Sequence, residues 1–344
     1  MPRPRTILLT GATGVVGTAL LPALRQHDVV CLVHRSPPRS GRGVPGDVTR
    51  PGLGWDRETR STLRREVDVV VHCAAATDFS AGPAQTALMN VAGTRHVAEF
   101  AVDAGARLHY LSTAFVARLD RPRADGGDAR LDPRAYLESK LAAEDTVRQA
   151  GLAGTLVRPS VVIGDSRTGE MAAFQGLHGL ALATLRNALP LVPLPAGSRI
   201  DMVTQDVLAR SVAALVEADA TGEFWITAGE HALTAERMVE LTVRTGRALG
   251  LAVDAPRLVE PDMVERLVRP VFIEPLPLPV RRRFDDMLVL TALFAAADGF
   301  PSDLARVPGL QPMPAAELAT AYARSVEFLA RAKGLVEAGT GRAA

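Results

Sequence analysis

The amino-acid sequence predicts an α/β fold, in which a doubly wound parallel sheet is joined to a smaller, mostly helical lobe nearer the C-terminus. Apolar segments of strand length alternate with longer segments of helical periodicity through the first half of the chain. The strand segments are almost continuously apolar, which is typical of strands covered by helices on both faces. A glycine-containing turn also follows the first strand and opens the first helix. Together these observations favour successive βαβ units.

The predicted elements follow one another at short intervals over the first 160 residues. The predicted strands are Thr6–Thr10, Asp28–Val33, Val67–His72, Arg107–Ser112 and Thr155–Arg158. The predicted helices between them are Val15–Gln26, Arg57–Glu66, Ala84–Ala104 and Pro133–Gln149. Each pair of strands is therefore separated by a segment long enough to cross back over the sheet.

Beyond residue 164 the alternation weakens, and we predict a second lobe. Residues 1–164 are expected to form the sheet domain, and residues 165–199 to insert into the second lobe. Residues 200–230 contain a further strand and helix that return to the sheet, and residues 231–344 form the mainly helical remainder of the lobe. This lobe is expected at the carboxyl edge of the sheet, where open α/β sheets bind ligands.

The composition argues against several classes of protein. The 344 residues are 47% hydrophobic and 22% charged, with a formal net charge of +1, as is ordinary for a globular protein. Without a basic field, and with only 4% aromatic residues, nucleic acid is not an expected partner. The seven histidines lack zinc-like spacing, so we expect no metal site.

The sequence also lacks features of secreted and membrane proteins. Residues 1–5 lead directly into an apolar strand, without the apolar core and cleavage site of a signal peptide. No apolar run is long enough to predict a membrane span. Cys31 and Cys73 fall in predicted strand regions, where thiols are usually buried and reduced. We therefore expect a cytoplasmic protein with no integral membrane segment.

The turn after the first strand predicts a nucleotide site. Its glycines follow a G-x-x-G-x-x-G spacing between a strand and a helix, which is the setting of the Rossmann dinucleotide fingerprint. Glycine permits a tight turn and a close approach of the backbone to a pyrophosphate at the helix N-terminus. The residues expected to contact the cofactor here are Thr10, Gly11, Thr13, Gly14, Val15, Val16 and Gly17.

The end of the second strand indicates which dinucleotide binds. An NAD site usually has an acidic residue there that holds the ribose 2′-hydroxyl. This chain has Val33-His34-Arg35 instead. An arginine can pair with a 2′-phosphate through two parallel hydrogen bonds. We therefore predict NADP(H), with His34 and Arg35 beside the adenosine phosphate.

A tyrosine and a lysine are spaced for proton transfer. The chain has only two lysines, and Lys140 follows Tyr136, one of three tyrosines, by four residues. On a helix, these positions share a face. A cation beside a phenol lowers its pKa from the usual value of about 10. We therefore predict that Tyr136 is a general acid tuned by Lys140.

A hydroxyl at the end of the fourth predicted strand completes the predicted catalytic group. Ser112 and Thr113 lie at this carboxyl end, where either side chain could join Tyr136 in donating to one substrate oxygen. We predict that Thr113 has this role, with Ser112 as the rival.

These motifs together resemble the extended short-chain dehydrogenase/reductase family. The matching segments run in order from about residue 6 to residue 226; they are Thr10 to Gly17, His72 to Ala76, Asn90 to Thr94, Leu111 to Thr113, Tyr136 to Lys140, and Arg158 to Ser160. The resemblance implies that Tyr136 is the general acid/base, that Lys140 holds the nicotinamide ribose, and that Thr113 is the third hydroxyl. It further implies cofactor contacts from Asp47, Val48, Ala74, Ala75, Ala76, Asn90, Pro159, Val161 and Val162.

Other segments resemble a narrower branch, the thioester reductase domains of natural-product assembly lines and the fatty acyl-CoA reductases. These segments are Gly46 to Trp55, His72 to Phe79 and Val161 to Glu170. The resemblance implies that hydride from NADPH reduces a thioester to an aldehyde, and a second hydride could give the alcohol. The leucine-rich stretch near Phe174 could line an acyl channel, although most of these residues are expected to be core.

Three other functions remain open at this level. An NADP-dependent ketone reductase or alcohol dehydrogenase acting on a sterol-, flavonoid- or polyketide-like substrate would use the same Tyr136, Lys140 and Thr113. A non-catalytic dinucleotide sensor would not need the Tyr-x-x-x-Lys spacing. A nucleotide-sugar epimerase is disfavoured by Arg35. The substrate partner is therefore expected to be a small molecule or a carrier-tethered acyl group, and a monomer and a homodimer are equally compatible with the sequence.

Overall fold

A computed structural model of the chain describes residues 3–120, 129–174 and 176–336. The strands of these residues are β1 (Thr6–Thr10), β2 (Asp28–Val33), β3 (Arg42–Pro45), β4 (Val69–His72), β5 (Arg107–Leu111), β6 (Gly154–Pro159), β7 (Val161–Ile163), β8 (Leu191–Pro193), β9 (Arg199–Ile200), β10 (Met202–Thr204), β11 (Gly222–Ile226), β12 (Leu233–Thr234) and β13 (Arg257–Val259).

The helices surround these strands. They are α1 (Val15–Ala23), α2 (Arg57–Glu66), α3 (Pro83–Ala87), α4 (Gly93–Ala104), α5 (Pro133–Gln149), α6 (Leu177–Leu185), α7 (Gln205–Glu217), α8 (Ala235–Ala248), α9 (Pro261–Met263), α10 (Leu278–Ala292) and α11 (Ala315–Ala332). Short 3₁₀ turns lie at Pro51–Gly54, Ala114–Arg118, Gly229–His231 and Leu304–Arg306, and π-helical segments at Leu88–Ala92 and Val264–Ile273.

Within the described residues, the main sheet has seven strands in the order β11-β6-β5-β4-β1-β2-β3. All of its neighbouring strands are parallel. The strand order reverses between β1 and β4, so the crevice at their carboxyl ends is a topological switch point. The predicted doubly wound parallel sheet is therefore confirmed.

Alternate residues of the strands pack into two separate cores. Ile7 and Leu9 of β1 face α1 and α7, whereas Leu8 lies in the core beneath α2 and α4. This alternation places helices on both faces of the sheet and explains why the strands are apolar throughout. The layers hold the carboxyl ends of β1, β4 and β5 at one edge.

The second lobe packs on that edge. Its core is formed by α6, α8 and α11 together with Phe294 and Phe300, and it extends to Phe115 and Leu137 near the end of β5 and in α5. Three two-stranded sheets, β7 with β10, β8 with β13 and β9 with β12, support it in the described parts of the chain. A cleft therefore lies between this lobe and the main sheet.

Several elements differ from the sequence prediction. The predicted helix Ala84–Ala104 extends from Pro83 to Ala104 but contains a π-helical turn at Leu88–Ala92. Strand β3 was not predicted, because Arg42–Pro45 is short and has no apolar alternation. Helices α2 and α5 have the predicted bounds. These differences arise where tertiary pairing outweighs local pattern.

The later segments divide between the sheet and the second lobe. Strand β11 pairs with β6 in the main sheet, and α7 packs against α1, whereas β9 and β10 pair outside that sheet. We propose that the boundaries 1–164, 165–199, 200–230 and 231–344 describe the lobes, with residues 337–344 outside the described part. No helix in the described ranges combines the length and apolarity that crossing a bilayer requires.

Candidate active site

The first half of the cleft is a cavity of about 430 Å³ at the carboxyl ends of β1, β2 and β4. Its lining residues are Gly11, Ala12, Thr13, Gly14, Leu32, Val33, His34, Arg35, Ser36, Pro38, Asp47, Val48, Cys73, Ala74, Ala75 and Met89. The cavity therefore collects the glycine turn, the end of β2 and the loops after β3 and β4.

The backbone of the glycine turn leaves no room for side chains. Gly11 has a φ of +74°, and a Cβ there would lie 2.7 Å from the Ala74 nitrogen. A Cβ at Gly17 would lie 2.1 Å from the Gly11 carbonyl oxygen. The turn leads directly into α1, whose free N–H groups point towards the cavity end. This cradle fits the pyrophosphate of a dinucleotide, which Gly11, Thr13 and Gly14 would hold.

The adenosine end of the cavity has both a cation and an acid. Arg35 is exposed and has no ion-pair partner among the described residues, so its guanidinium is available to an anion. Asp47, at the end of β3, accepts hydrogen bonds from the Thr49 N–H and hydroxyl at 2.9 and 2.7 Å. Its second oxygen lies 3.7 Å from His34 Nε2. The acid missing from β2 is thus partly replaced by one from β3.

Thr10, Ala76 and Asn90 line neither half of the cleft, so their contacts with the cofactor stay a prediction. Thr10 is buried, and its Oγ1 accepts from the Ala74 N–H at 3.2 Å. Asn90 accepts from the Ala76 N–H at 2.7 Å and donates to the Ala76 carbonyl at 3.1 Å. The Thr10 and Asn90 side chains therefore use their polar atoms to hold the loop after β4. Ala76 belongs to that loop, and Asn90 bonds to its backbone.

A buried histidine links the Thr10 hydroxyl to a second hydroxyl on α4. His72 Nδ1 lies 2.6 Å from Thr10 Oγ1, and its Nε2 lies 3.1 Å from Thr94 Oγ1. Burial lowers the pKa of His72 to about 3, with a smaller contribution from Lys140, so the ring is neutral. A neutral imidazole donates from one nitrogen and accepts at the other, which lets it bridge two hydroxyls. The bridge ties the glycine turn to α4.

The second half of the cleft is a larger cavity of about 740 Å³ between the sheet edge and the second lobe. It shares Gly11, Gly14, Cys73 and Ala75 with the first cavity. Other predicted cofactor and catalytic residues that line it are Val15, Val16, Gly17, Thr113, Tyr136, Lys140, Pro159, Val161 and Val162. One continuous cleft therefore runs from Arg35 to Tyr136.

Tyr136 lies on α5 at the wall of this second cavity. Its ring packs against Phe79, with centroids 5.4 Å apart. Burial raises the pKa of Tyr136 to about 12, and a hydrogen bond with the Thr113 side chain opposes that shift. The phenol is therefore protonated at neutral pH, and Thr113 is its hydroxyl partner.

Lys140 does not have the predicted effect on Tyr136. Its Nζ donates to the Leu111 carbonyl at 2.6 Å and lies 4.3 Å from the Tyr110 ring centroid. Burial lowers the pKa of Lys140 to about 7, while nearby Cys73 and Glu144 raise it. The expected lowering of the phenol pKa is wrong for this structure, because desolvation raises the pKa of Tyr136 more than its hydrogen bond with Thr113 lowers it.

Ser112, the rival hydroxyl, also lines the second cavity, but its side chain is engaged in a buried ion-pair network. Its Oγ donates to Glu144 Oε1 at 2.6 Å. Arg158 donates to both oxygens of Glu144, at 2.9 and 2.5 Å, and also pairs with Glu223 at 2.9 Å. These hydrogen bonds hold the pKa of Glu144 below its usual range although burial opposes the shift. Because the Ser112 hydroxyl already donates to Glu144, the geometry favours Thr113 as the hydroxyl available to a substrate.

The remaining walls of the second cavity are mostly apolar. They are formed by Thr77, Asp78, Phe79, Phe115, Leu131, Leu137, Met171, Ala173, Phe174, Gly176, Leu177, Gly179, Leu290, Leu293 and Phe294. Of the leucine-rich stretch considered as an acyl channel, Phe174 and Leu177 line the cavity, whereas Leu180 and Leu185 are core residues. An apolar group next to Tyr136 is the ligand that these walls fit.

Sequence reasoning missed several residues of the cleft. Cys73 lines both cavities, and burial raises its pKa to about 12, so its thiol stays protonated. Met89 enters the first cavity from the π-helical turn. The motif around His72 could have indicated Cys73, but no local signal indicated Met89. In the described parts of the chain, no group of three or more His, Cys, Asp or Glu side chains is placed to hold a metal ion.

The chain is similar in sequence to a known protein family and to several known proteins. A family model described as male sterility protein matches residues 42–212. A 3-diazoavenalumate denitrifying reductase from a Streptomyces species is 34% identical over 284 residues, which are 76% of this chain and 89% of that protein. The chain is also 27% identical over 249 residues to the glycine betaine reductase ATRR of Emericella nidulans, covering 60% of this chain but only 19% of that relative.

Solved structures show the same fold. The terminal R domain of the myxalamid PKS-NRPS biosynthetic pathway superposes with a TM-score of 0.71 at 23% identity, over 98% of this chain and 93% of that one. Among the curated relatives, several hybrid PKS-NRPS synthetases are matched over only 4% of their length, as with equisetin synthetase of Fusarium heterosporum at 32% identity. This chain thus spans a small part of those multidomain relatives.

Proposed function

This chain belongs to the male sterility protein family of extended short-chain dehydrogenases/reductases, and from that premise we propose that it is an NADPH-dependent reductase of acyl thioesters. The observation that carries the proposal is the single cleft, in which a dinucleotide cradle continues into an apolar cavity beside Tyr136 and Thr113. The product is an aldehyde, or an alcohol after a second reduction.

The reaction requires hydride at the carbonyl carbon and a proton at the carbonyl oxygen. When bound, the reduced nicotinamide supplies the hydride. Thr113 and Tyr136 hold the carbonyl oxygen by hydrogen bonds, and Tyr136 gives its proton to this oxygen as negative charge develops. The resulting hemithioacetal breaks its C–S bond, which releases a thiol and leaves an aldehyde. Tyr136 then regains a proton from solvent.

Preference for NADPH over NADH is part of the proposal. Arg35 lines the first cavity with its guanidinium unpaired among the described residues, which suits a 2′-phosphate. Asp47 also lies there, but Thr49 already donates to it twice. The arginine is therefore the group better placed to discriminate between the two cofactors.

The acyl group is proposed to arrive on a carrier or as a CoA thioester. This part of the proposal is supported by the hybrid PKS-NRPS synthetases among the curated relatives that the chain matches. A cytoplasmic location is part of the same proposal, supported by the free thiols of Cys31 and Cys73. Monomer and homodimer remain alternatives for its assembly state.

A second candidate function is reduction of a small molecule that is not bound as a thioester. The Streptomyces relative covers most of both chains and is described as a denitrifying reductase of 3-diazoavenalumate. Reduction of a ketone would likewise use Tyr136, Lys140 and Thr113. Both reactions would place the reacting group beside Tyr136, so only turnover separates them from thioester reduction.

The test compares three substrate types with NADPH and the purified chain. Acyl-CoA and acyl-pantetheine thioesters, matched methyl ketones and an aryl diazo acid are incubated separately, and NADPH oxidation, free thiol, aldehyde and alcohol are measured. With the thioesters, we expect the amount of free thiol to equal the sum of aldehyde and alcohol. Oxidation of NADPH only with the ketone or the diazo acid would transfer the proposal to the second candidate, and none with any substrate would refute both.

A further inference from the structure

One glycine in the wall of the second cavity has no conformational or packing reason to be glycine. Gly179 lies in the first turn of α6 with ordinary helical backbone, and a Cβ there would meet no atom within 4 Å. A glycine in a helix costs about 1 kcal/mol relative to alanine. Among the described glycines, only Gly179 and Gly197 lack both a left-handed φ and a neighbour within 4 Å.

The space beside Gly179 belongs to the cavity that contains Tyr136. Gly179 lines it from α6, and Leu290 and Leu293 line it from α10 and the residue that follows that helix. One turn earlier the two walls come close, because a Cβ at Gly176 would lie 3.8 Å from Leu290 Cδ1. At Gly179 the missing side chain leaves a gap. Gly179 is exposed, so this gap is an opening of the cavity to solvent beside α6.

The lining of this part of the cavity selects the chemistry of its occupant. Phe174, Leu177 and Phe294 present apolar surface in the same cavity. Lys140 and Asp78 are the charged residues of the described lining, and the Asp78 carboxylate accepts from the Ser80 N–H and hydroxyl. A neutral, apolar group therefore fits the interior that leads to the opening at Gly179, since a charge in that interior would lose its hydration without a partner.

We propose that Gly179 sets the length of the acyl group that the site accepts. The substrates are thioesters of apolar acyl chains that extend from the carbonyl beside Tyr136 along α6 to the gap at Gly179. A larger side chain at residue 179 would occupy the space of the distal part of the acyl chain. This inference rests on the proposed thioester reductase activity.

The experiment compares Gly179→Leu with the unaltered protein on butyryl-, octanoyl- and palmitoyl-CoA. Gly179→Leu is expected to lower kcat/KM more as the acyl chain lengthens, so that the palmitoyl to butyryl ratio falls at least about tenfold, or about 1.4 kcal/mol. The change should appear mainly in KM, because Gly179 does not contact the reacting carbonyl. Gly179→Ala should alter the ratio much less.

Gly197→Leu is the matched control, because it places the same side chain at the other open glycine, outside both cavities. It should leave the ratio unchanged, and denaturant unfolding of all variants should show that each is folded. A uniform loss across the three chain lengths, or an unchanged palmitoyl to butyryl ratio in Gly179→Leu, would overturn the inference.

A binding measurement separates this inference from the proposed activity. Calorimetric titration of the NADP⁺-loaded protein with palmitoyl-pantetheine does not require turnover. We expect tight binding that Gly179→Leu weakens by at least about tenfold. Binding that Gly179→Leu weakens, without reduction of any thioester, would refute the reductase activity but retain the acyl gap. If palmitoyl-pantetheine does not bind the unaltered protein, or binds it and Gly179→Leu equally, the proposed role of Gly179 is refuted.

Discussion

At the scale of single residues, burial decides the protonation of the two side chains proposed to be catalytic. Tyr136 has its pKa raised to about 12 and Lys140 has its pKa lowered to about 7, both mainly through desolvation. A phenol that stays protonated is suited to give a proton to a carbonyl oxygen during reduction. The Tyr-x-x-x-Lys spacing brings both side chains to one cavity, but their surroundings set their charge.

Tyr136→Phe tests the proton donor. Since the substitution removes only the hydroxyl, turnover should fall by about 10²–10⁴-fold, while the Kd for NADPH changes little because the glycine turn is intact. Stopped-flow turnover and fluorescence titration with NADPH measure the two effects.

Tyr322→Phe provides the control for this variant. Tyr322 is also buried, its pKa is also raised to about 12, and its hydroxyl lies 2.9 Å from Thr242 Oγ1 in the second lobe. Loss of that hydroxyl should leave turnover intact. Full activity in Tyr136→Phe would contradict the assigned role.

Arg35→Ala tests cofactor preference. A charge-assisted hydrogen bond contributes about 1.5–3 kcal/mol, so the Kd for NADPH should rise about 10- to 100-fold, while the Kd for NADH stays nearly constant. The exposed Arg39, which lies outside both cavities, is the control when changed to alanine. An equal rise in the Kd values for NADPH and NADH would show that Arg35 does not bind the 2′-phosphate.

At the scale of elements, α5 is held against the end of β5 by hydrogen bonds from two successive turns. Lys140 donates to the Leu111 carbonyl, and Glu144 accepts from Ser112. These two residues and Tyr136 are spaced by four on α5, so they share one face of the helix. Arg158 on β6 holds Glu144 from the other side. This ladder sets the position of the phenol along the cavity wall.

The pH dependence of NADPH binding tests whether Glu144 influences the charge of Lys140. Lys140 is charged below its pKa of about 7, and the charged form attracts the anionic cofactor. Binding should therefore be strongest well below pH 7 and weaken as pH rises through about 7. Because Glu144 raises the pKa of Lys140, Glu144→Gln should move this decline to lower pH. Titrations that extend about two pH units to either side of this value measure both midpoints.

Lys140→Met is the control for the pH experiment. It removes the titrating ammonium, so the remaining pH dependence across the same range should be flat. Thermal unfolding should confirm that Glu144→Gln is folded, since its amide oxygen can still accept from Ser112. An identical midpoint in Glu144→Gln and the unaltered protein would exclude this electrostatic role for Glu144.

At the scale of the whole molecule, an aromatic cluster joins the second lobe to the sheet. Phe300 packs against Phe115 with centroids 5.1 Å apart and stacks on Trp225 of β11 at 6.2 Å. The Arg118 guanidinium lies 4.4 Å from the Phe300 ring centroid. Phe115 also lines the second cavity. The same side chain therefore belongs both to the cluster that joins the lobe to the sheet and to the wall of the cavity.

Phe300→Ala tests this joint. Removing a buried phenylalanine should lower the free energy of unfolding by about 3–5 kcal/mol, measured by urea denaturation. KM for the acyl substrate should rise more than the Kd for NADPH, because the lost contact supports Phe115 and not the glycine turn. Phe272→Ala is the control, since that side chain is 65% exposed. A similar loss of stability in both variants would contradict a joining role.

The amino-acid sequence by itself determined the parallel sheet, the glycine turn, the helix of Tyr136 and Lys140, and the family resemblance that the comparisons confirm. These features follow from local rules, because strand apolarity, glycine spacing and i, i+4 geometry act over a few residues. The bounds of α5 were predicted for the same reason.

Only the tertiary structure decided what surrounds those residues. It turned Ser112 towards Glu144, added Met89 to the cavity of the glycine turn, and opened a gap at Gly179. It also gave Tyr136 and Lys140 their shifted pKa values. Burial, desolvation and empty space depend on segments far apart in the chain, so no local pattern records them.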